Sequence, residues 1–362
     1  MKELHCAARD AYCIWKETGK PRQGDIFNVM KLSRMKFKQA IRKCKREKET
    51  IIADNIAEQL CQKDHRKFWK EIKHCTNSKV KLPTNIDNIH GDVNIGSMWK
   101  HHYEHLFNDV EDSRCDKVCY DCSTGNKGMT VGAVELMDII NGLSKNKSPG
   151  LDGINAEHIK FADYQLAVLL SILVSSILVH GYLPKEISQS VIVPIIKDKN
   201  RRVNDKGNYR PICLSNIFSK IIDTVLFNRM EMYLETTPNQ FGFKPKHGTE
   251  LCVFAFKELL RFYTEHGSAM HVAFLDASKA FDRVNRYKLL TKLEQRNVPN
   301  YILRVLSNEF NNQCVCIRWG NTYSDFFSVG NGVKQGGKLS PLLFNIYMDN
   351  LSIQLHKKTN RL

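Results

Sequence analysis

The sequence predicts an α+β fold that follows a basic, helical amino-terminal segment. After Thr130, amphipathic helical patterns alternate with short β-branched runs, which is typical of a sheet packed against helices. Before Thr130, apolar residues recur at helical spacing between lysines and arginines. The 362 residues are enough for about two ordinary domains, and we predict that these are residues 1–130 and 131–362.

The charge of the chain is strongly positive, +16 at pH 7. Such an excess favours a polyanionic partner, either nucleic acid or an acidic membrane surface. Residues 1–80 hold 20 basic and 10 acidic residues and therefore supply +10 of the total. Scattered cysteines, no secretory signal and no apolar run of membrane-spanning length predict an intracellular protein, in the nucleus or cytoplasm, without a membrane partner.

The amino-terminal segment is predicted to be helical from Met30 to Leu60, and residues 64–74 continue its basic amphipathic pattern. A solvated helix face explains these short basic runs, and a dedicated nucleic-acid or nuclear-import patch is the alternative. Residues 75–94 and 108–130 are polar and are predicted to be linkers. The second contains Cys115, Cys119 and Cys122, but C-x3-C-x2-C matches no common zinc finger.

The elements after Thr130 follow from local signals. The apolar run Leu166–Val179 is too short to span a bilayer and is predicted to be a buried helix. Ser190–Ile196 is strand-like, and the polar turn after it predicts a hairpin with the strand before Leu214. The other predicted helices are 134–143, one capped by Asn155, 217–234 after Ser215 or Asn216, 249–266, 285–297, 299–310 and 339–356.

Two further strand signals lie nearer the carboxyl terminus. Residues 313–319 and 322–329 are predicted to be strands joined by Gly320-Asn321, a two-residue hairpin turn. Met270–Asp276 is a short apolar run that ends in an acid. A strand-end Asp beside a cleft suits a divalent metal that assists phosphoryl transfer, although an isolated Asp is more often a turn residue.

Five sequence blocks in fixed order make a functional role for Asp276 the better interpretation. The blocks are SPGLDGI (148–154), IIKDKN with NYRPICLSNIFSK (195–220), NQFGFKPKHGTE (239–250), LDASKAFD (275–282) and GVKQGGKLSPLLFNIYMDN (332–350). At these residues the chain resembles a reverse transcriptase of the non-LTR retrotransposon (LINE-like) type, over about residues 131–351. The resemblance implies a right-hand polymerase fold with fingers and a partial palm but no thumb, preceded by the basic connector that joins endonuclease and polymerase in such elements.

The resemblance also implies the roles of single residues. Asp276 is the catalytic metal ligand, helped by the carbonyl of Ala277, and Phe281 is a gate that rejects a 2′-hydroxyl. Mg2+, with Mn2+ as an alternative, is expected only in the complete polymerase, and the partners are an RNA template, a DNA primer and a dNTP. The remaining nucleotide-binding residues are Lys197, Arg210, Gln335 and Gly336, while Asp152, Asp282, Asn345 and Asp349 are structural or lie behind the site.

The chain departs from the family pattern in three places. Lys334 replaces the usual arginine before the Gln, and Lys338 stands where a small or apolar residue is usual. The aromatic-Ala-Asp-Asp block of the family does not follow, and residues 351–362 contain no Asp or Glu. We therefore expect that this chain by itself does not polymerise, and that an open sheet edge makes it poorly stable.

Two other functions fit the sequence. One is a non-catalytic nucleic-acid-binding protein that uses the basic helices and the finger surface, with an affinity that falls steeply with salt. The other is a reverse transcriptase of the group II intron type, which the segment before Val131 disfavours.

Overall fold

The protein is described by a computed structural model. The described residues are 2–62, 64, 67–68, 72, 82–113, 115, 129–198, 200–233 and 235–359. The chain divides into two compact units, Met1–Lys81 and Leu82–Leu362. The predicted division by function at residue 130 remains a prediction.

The described part of the amino-terminal unit is helical, which confirms the helical prediction for residues 30–60, and it has a further helix before them. Its helices are α1 (Lys2–Glu17), α2 (Asp25–Arg46) and α3 (Lys48–Cys61). α1 packs on α2, burying Ala11 and Met30, and the Trp15 indole N–H donates to the carbonyl of Pro21 (2.9 Å). Most lysines and arginines of α2 remain exposed, because its apolar stripe faces the neighbouring helix.

The second unit mixes helices with short strands, which confirms the predicted α+β class. Its strands are β1 (Asn85–Ile86), β2 (Ile89–His90), β3 (Gln189–Ile196), β4 (Tyr209–Ser215), β5 (Cys314–Trp319), β6 (Thr322–Tyr323) and β7 (Phe327–Ser328). Its helices are α4 (Asp92–Leu106), α5 (Ala133–Gly142), α6 (Ala156–Lys160), α7 (Tyr164–His180), α8 (Lys185–Ser188), α9 (Ile217–Met230), α10 (Thr249–Glu265), α11 (Arg286–Gln295), α12 (Asn300–Asn312) and α13 (Ser340–Thr359).

The main sheet has the strand order β4-β3-β5-β6, and β7 also pairs with β5. β3 and β4 form the predicted antiparallel hairpin, with Ile195 opposite Arg210. β3 runs parallel to β5, with Gln189 opposite Cys314. The predicted hairpin at Gly320-Asn321 is confirmed, although β6 is only two residues long.

Two hydrophobic cores stabilise this unit. One fills the space between α4 and the sheet and is aromatic, with Trp99 and Trp319 almost fully buried. The other lies among α5, α7, α9 and α11–α13. Asn216 caps α9, because its side chain accepts from the Ser219 N–H (2.7 Å), and Asn285 caps α11 in the same way.

Three sequence predictions need correction. Residues 85–94, predicted to be linker, contain the β1–β2 hairpin and the start of α4, since Ile86 and Ile95 reach the aromatic core. The helix predicted to be buried, α7, is buried on one face only: Leu169 is 64% exposed and Ile172 59%.

Among the described residues, no helix has the length and apolar character needed to cross a membrane.

The third correction concerns Met270–Asp276, which is an irregular segment and not a strand. Its backbone pairs with no described residue, and Phe274 and Leu275 are 84% and 92% exposed. A run with strand propensity becomes a strand only where a partner completes its hydrogen bonds.

Candidate functional site

A loop between β7 and α13 lies at the centre of the candidate site. We call residues 330–337 the Gln335 loop. The Gly332 and Val333 N–H groups donate to the carbonyls of Val284 (2.8 Å) and Phe281 (2.9 Å), and the carbonyl of Gln335 accepts from the Cys213 N–H of β4 (2.9 Å). The loop therefore joins the LDASKAFD block to the β3–β4 hairpin.

Two glycines permit this close backbone contact. Gly332 has φ +84°, and a Cβ there would lie 2.6 Å from the carbonyl oxygen of Asp282. Gly336 has φ +110°, and a Cβ would lie 3.3 Å from the carbonyl oxygen of Cys213. Both positions therefore disfavour any side chain, first through the backbone angle and then through space.

Arg286, the first residue of α11, anchors the Gln335 loop through hydrogen bonds. It is 1% exposed, and its guanidinium donates to the carbonyls of Gly332 (2.9 Å) and Phe310 (2.7 Å). Further bonds reach the Val329 carbonyl and the side chain of Gln313. Burial lowers the pKa of Arg286 to about 10, so that the group remains a cation at neutral pH.

Asp282 bonds directly to Gln335. The Gln335 side-chain amide donates to the Asp282 carboxylate (Nε2–Oδ1 2.6 Å), and Asp282 is only 3% exposed. Burial raises the pKa of Asp282 to about 6, against the opposing effects of the Gln335 hydrogen bond and the Lys279 charge. The Asp282 side chain therefore links two blocks that are 53 residues apart.

Phe281 is half-buried in a small aromatic group. Its ring stacks on Phe344 of α13, with centroids 4.6 Å apart and planes at 14°, and meets the edge of Phe243 at 5.9 Å. The Asn345 amide donates to the carbonyl of Gly242 (2.8 Å), which attaches the NQFGF block to α13. Phe243 itself is 61% exposed and has φ +56°, a strained conformation for a bulky residue.

Lys334 points into the interior. It forms an ion pair with Glu309, and both side chains are less than 10% exposed. Burial opposes the charge of Lys334, but Glu309 and Asp223 more than compensate and raise its pKa. Burial and the Glu309 charge raise the pKa of Asp223 to about 7. The departure at Lys334 therefore affects internal packing, and this side chain is not on the exposed side of the loop.

The structure leaves some predicted residues apart. Asp276 and Ala277 are exposed in the irregular segment before Phe281. Lys197 and Arg210 are exposed near the turn end of the β3–β4 hairpin, where the Lys197 N–H donates to the carbonyl of Asn208 (2.7 Å). Within the described ranges, no hydrogen bond or ion pair occupies the side chains of Asp276, Lys197 or Arg210. The site residues brought together are thus Phe281, Gln335 and Gly336.

The donor set for a metal is partial. A carboxylate at Asp276 and a carbonyl at Ala277 are hard oxygen donors, which suit an ion that also takes phosphate and water ligands. Among the described residues, no group of three or more His, Cys, Asp or Glu side chains is placed to hold a metal. Cys119 and Cys122 lie outside those residues.

A groove of about 1170 Å³ opens beside the Gln335 loop, between α5, the segment that follows it, β4 and α9. Its lining includes the apolar residues Ile212 and Ile217, together with Gly336. Its charged lining residues are Lys147, Lys220, Lys338, Glu135 and Asp138. Lys338 lies over the ring of Phe227, with its ammonium 5.1 Å from the ring centroid. The groove is therefore continuous with the loop.

Sequence comparison gives relatives for this part of the chain. Residues 196–361 match the family described as "Reverse transcriptase (RNA-dependent DNA polymerase)". The chain is 28% identical over 211 residues to the Retrovirus-related Pol polyprotein from type-2 retrotransposable element R2DM of Drosophila melanogaster. The aligned residues cover 58% of this chain and 19% of the relative.

Two mobile-element proteins of the same fly are similar. The RNA-directed DNA polymerase from mobile element jockey is 27% identical, covering 62% of this chain and 25% of the relative. The probable RNA-directed DNA polymerase from transposon X-element is also 27% identical, covering 60% and 24%. The matched part of this chain thus corresponds to about a fifth to a quarter of these relatives.

Proposed function

We propose that this chain binds nucleotide and template during RNA-directed DNA synthesis. The reason is that the chain belongs to the reverse transcriptase family and is related to the polymerases of non-LTR retrotransposons. Residues 131–362 would be the fingers and part of the palm of a right-hand polymerase, and residues 1–130 its connector. The observation that carries the proposal is the Gln335 loop, which bonds to Phe281 on one side and to β4 on the other.

Each proposed nucleotide-binding residue has a role that follows from its side-chain chemistry. Arg210 binds the triphosphate through its planar guanidinium, and Lys197 adds a point charge from the adjoining strand end. Phe281, fixed by Phe344, lies under the sugar, where a ring leaves no space for a 2′-hydroxyl. Gln335 and Gly336 line the side of the base pair, since the glycine lets the backbone approach closely.

Asp276 and the carbonyl of Ala277 would bind a divalent ion, with Mg2+ as the first choice and Mn2+ as the alternative. When bound, such an ion neutralises the triphosphate and favours attack by the primer hydroxyl. The exposed position of Asp276 supports this role, because the phosphates of a nucleotide can reach it. An RNA template and a DNA primer are the corresponding partners.

Nucleotide binding tests this proposal directly. We would measure the affinity of the chain for the next correct dNTP with a primer on an RNA template, using Ca2+ to prevent turnover. Arg210→Gln should weaken that affinity by roughly tenfold or more, as expected for one charge-assisted contact. The matched control is Arg202→Gln, an exposed arginine on the same hairpin, which should change little.

The proposal fails if the chain shows no dNTP binding that depends on the primer–template, or if the two arginine variants behave alike. Primer extension with Mg2+ is a separate measurement. Extension that Asp276→Ala abolishes would contradict the expectation that the chain alone does not polymerise.

A second candidate function is nucleic-acid binding by α2. This helix holds eight basic residues and one acidic residue, and those from Lys31 to Lys43 are exposed. The affinity for a polyanion should therefore fall steeply as salt is added. The slope of log affinity against log salt concentration should become smaller as basic residues are removed. The double variant Arg42→Gln, Lys43→Gln should lower the slope by about 1 to 2. The control is the double variant Lys257→Gln, Arg261→Gln on α10, which should leave the slope unchanged. Equal slopes for the two variants would exclude α2 as the nucleic-acid-binding surface.

A further inference from the structure

We propose that Asp282 is a positioning residue that sets the orientation of the Gln335 amide for the incoming nucleotide. The inference rests on the proposed function, since it assigns Gln335 to the nucleotide pocket. Asp282 itself would touch neither nucleotide nor metal, because it is 3% exposed and lies behind Gln335.

The backbone of Asp282 is held by three contacts. Its N–H donates to the carbonyl of Lys279 (3.0 Å), and its own carbonyl accepts from the Asn331 amide (2.7 Å). Gly332 lies against the same carbonyl with no room for a Cβ. The backbone that carries the carboxylate is therefore fixed by contacts that a change of side chain would leave in place.

The backbone of Gln335 is fixed as well. Its carbonyl accepts from Cys213 (2.9 Å), and the next residue, Gly336, packs on the same strand. What remains free is the rotation of the Gln335 side chain. The hydrogen bond to Asp282 removes that freedom. Among the described residues, Gln335 is the one partner to which the Asp282 carboxylate is hydrogen-bonded.

The chemistry of the bond determines which end of the amide faces outward. An ionised carboxylate only accepts hydrogen bonds, so the NH2 group of Gln335 must face Asp282. The carbonyl oxygen of the amide then points away from Asp282. Gln335 is half-buried, not enclosed, and it therefore offers an acceptor to a donor group of the nucleotide, such as a sugar hydroxyl or a base N–H.

A double-mutant cycle tests this inference through dNTP affinity on a primer–template with Ca2+. Asp282→Leu alone should weaken binding by roughly five- to twentyfold, and Gln335→Ala by a similar factor. In the Gln335→Ala background, Asp282→Leu should have no further effect, because the residue acts through Gln335. Asp282→Asn, which keeps the size, should give a smaller loss of the same kind.

The matched control is Asp109→Asn. Asp109 pairs with Arg283 (3.1 Å), next to Asp282, and does not contact Gln335. This variant should leave dNTP affinity within about twofold of the original chain. Thermal unfolding of every variant separates a local change from loss of the fold.

A second measurement does not depend on nucleotide binding. In protein labelled with 15N-glutamine, the side-chain amide signal of Gln335, identified by its loss in Gln335→Ala, should shift in Asp282→Asn and stay in place in Asp109→Asn. An unchanged signal would overturn the inference. So would equal losses of affinity from Asp282→Leu in the presence and absence of Gln335, and in that case the proposed function stands. If the original chain binds no dNTP, the proposed function fails, and the nucleotide role of Gln335 fails with it, whatever the amide signal shows.

Discussion

The guanidinium of Arg286 donates to the backbone carbonyl of Gly332 at 2.9 Å, and so joins the first turn of α11 to the Gln335 loop. The same side chain reaches the carbonyl of Phe310 in α12 and packs on the ring of Phe310. One buried cation thus organises three segments around the candidate site. Carbonyl oxygens accept from the guanidinium, and the Glu309 charge also favours the cation, although no carboxylate of the described residues forms an ion pair with it.

Arg286→Met should lower the free energy of unfolding by about 3–5 kcal/mol, because several buried oxygen acceptors lose their donors at once. Urea unfolding measures this difference. Arg283→Met is the control: Arg283 is more than half exposed and has one ion pair, so its loss should amount to less than about 1 kcal/mol. Equal effects would show that Arg286 does not organise the loop.

Trp99→Ala should destabilise the second unit by about 3–5 kcal/mol, the usual range for a buried tryptophan. Trp99 is fully buried on α4 and stacks on Tyr103 at 5.3 Å. Thermal unfolding gives the comparison with Phe161→Ala, whose ring is 79% exposed and should matter little. A small effect at Trp99 would mean that α4 is dispensable for folding.

Asp223→Asn should stabilise the protein increasingly as pH rises from about 4 to 7. The pKa of Asp223 is raised from 3.8 to about 7, so between these values the folded state binds the proton that the unfolded state has lost. The native carboxyl therefore lowers the free energy of unfolding as pH rises through this window, and its effect is constant above it. The amide of the Asp223→Asn variant does not titrate in this range, so the variant escapes that loss.

Urea unfolding at pH 4, 5.5 and 7.5 follows this difference. Asp325→Asn is the control, since the side chain of Asp325 is 93% exposed. A difference between the Asp223 variant and the original chain that does not change with pH, or that shrinks as pH rises, would contradict the assignment.

Phe281→Ala should raise the affinity for a ribonucleotide relative to a dNTP by roughly tenfold or more, because the 2′-hydroxyl gains the space that the ring fills. The measurement is competition between the two nucleotides on a primer–template. Phe254→Ala, an exposed ring on α10, should leave the ratio unchanged. If removing the Phe281 ring does not alter the ratio, Phe281 is not the sugar gate.

Much of the site could be predicted from local patterns. The β3–β4 hairpin and the cap at Asn216 depend on residues close together in the sequence, where spacing and turn chemistry suffice. The role of Arg286 could not, because the carbonyls that satisfy it come from residues 24 to 46 positions away. The faint signal was an arginine in line with the apolar face of its helix, three, four and seven residues before Leu289, Leu290 and Leu293.

The sequence by itself determined the order of the five blocks, the family they indicate and the helices around them, since these follow from residue types and short-range periodicity. The tertiary structure alone decided which blocks meet: Gln335 with Asp282, Phe281 with Phe344, and Lys334 with Glu309 inside the protein. It also decided that Met270–Asp276 is not a strand. Propensity is local, whereas a strand, a buried charge and a positioned amide each require a partner that only the folded chain supplies.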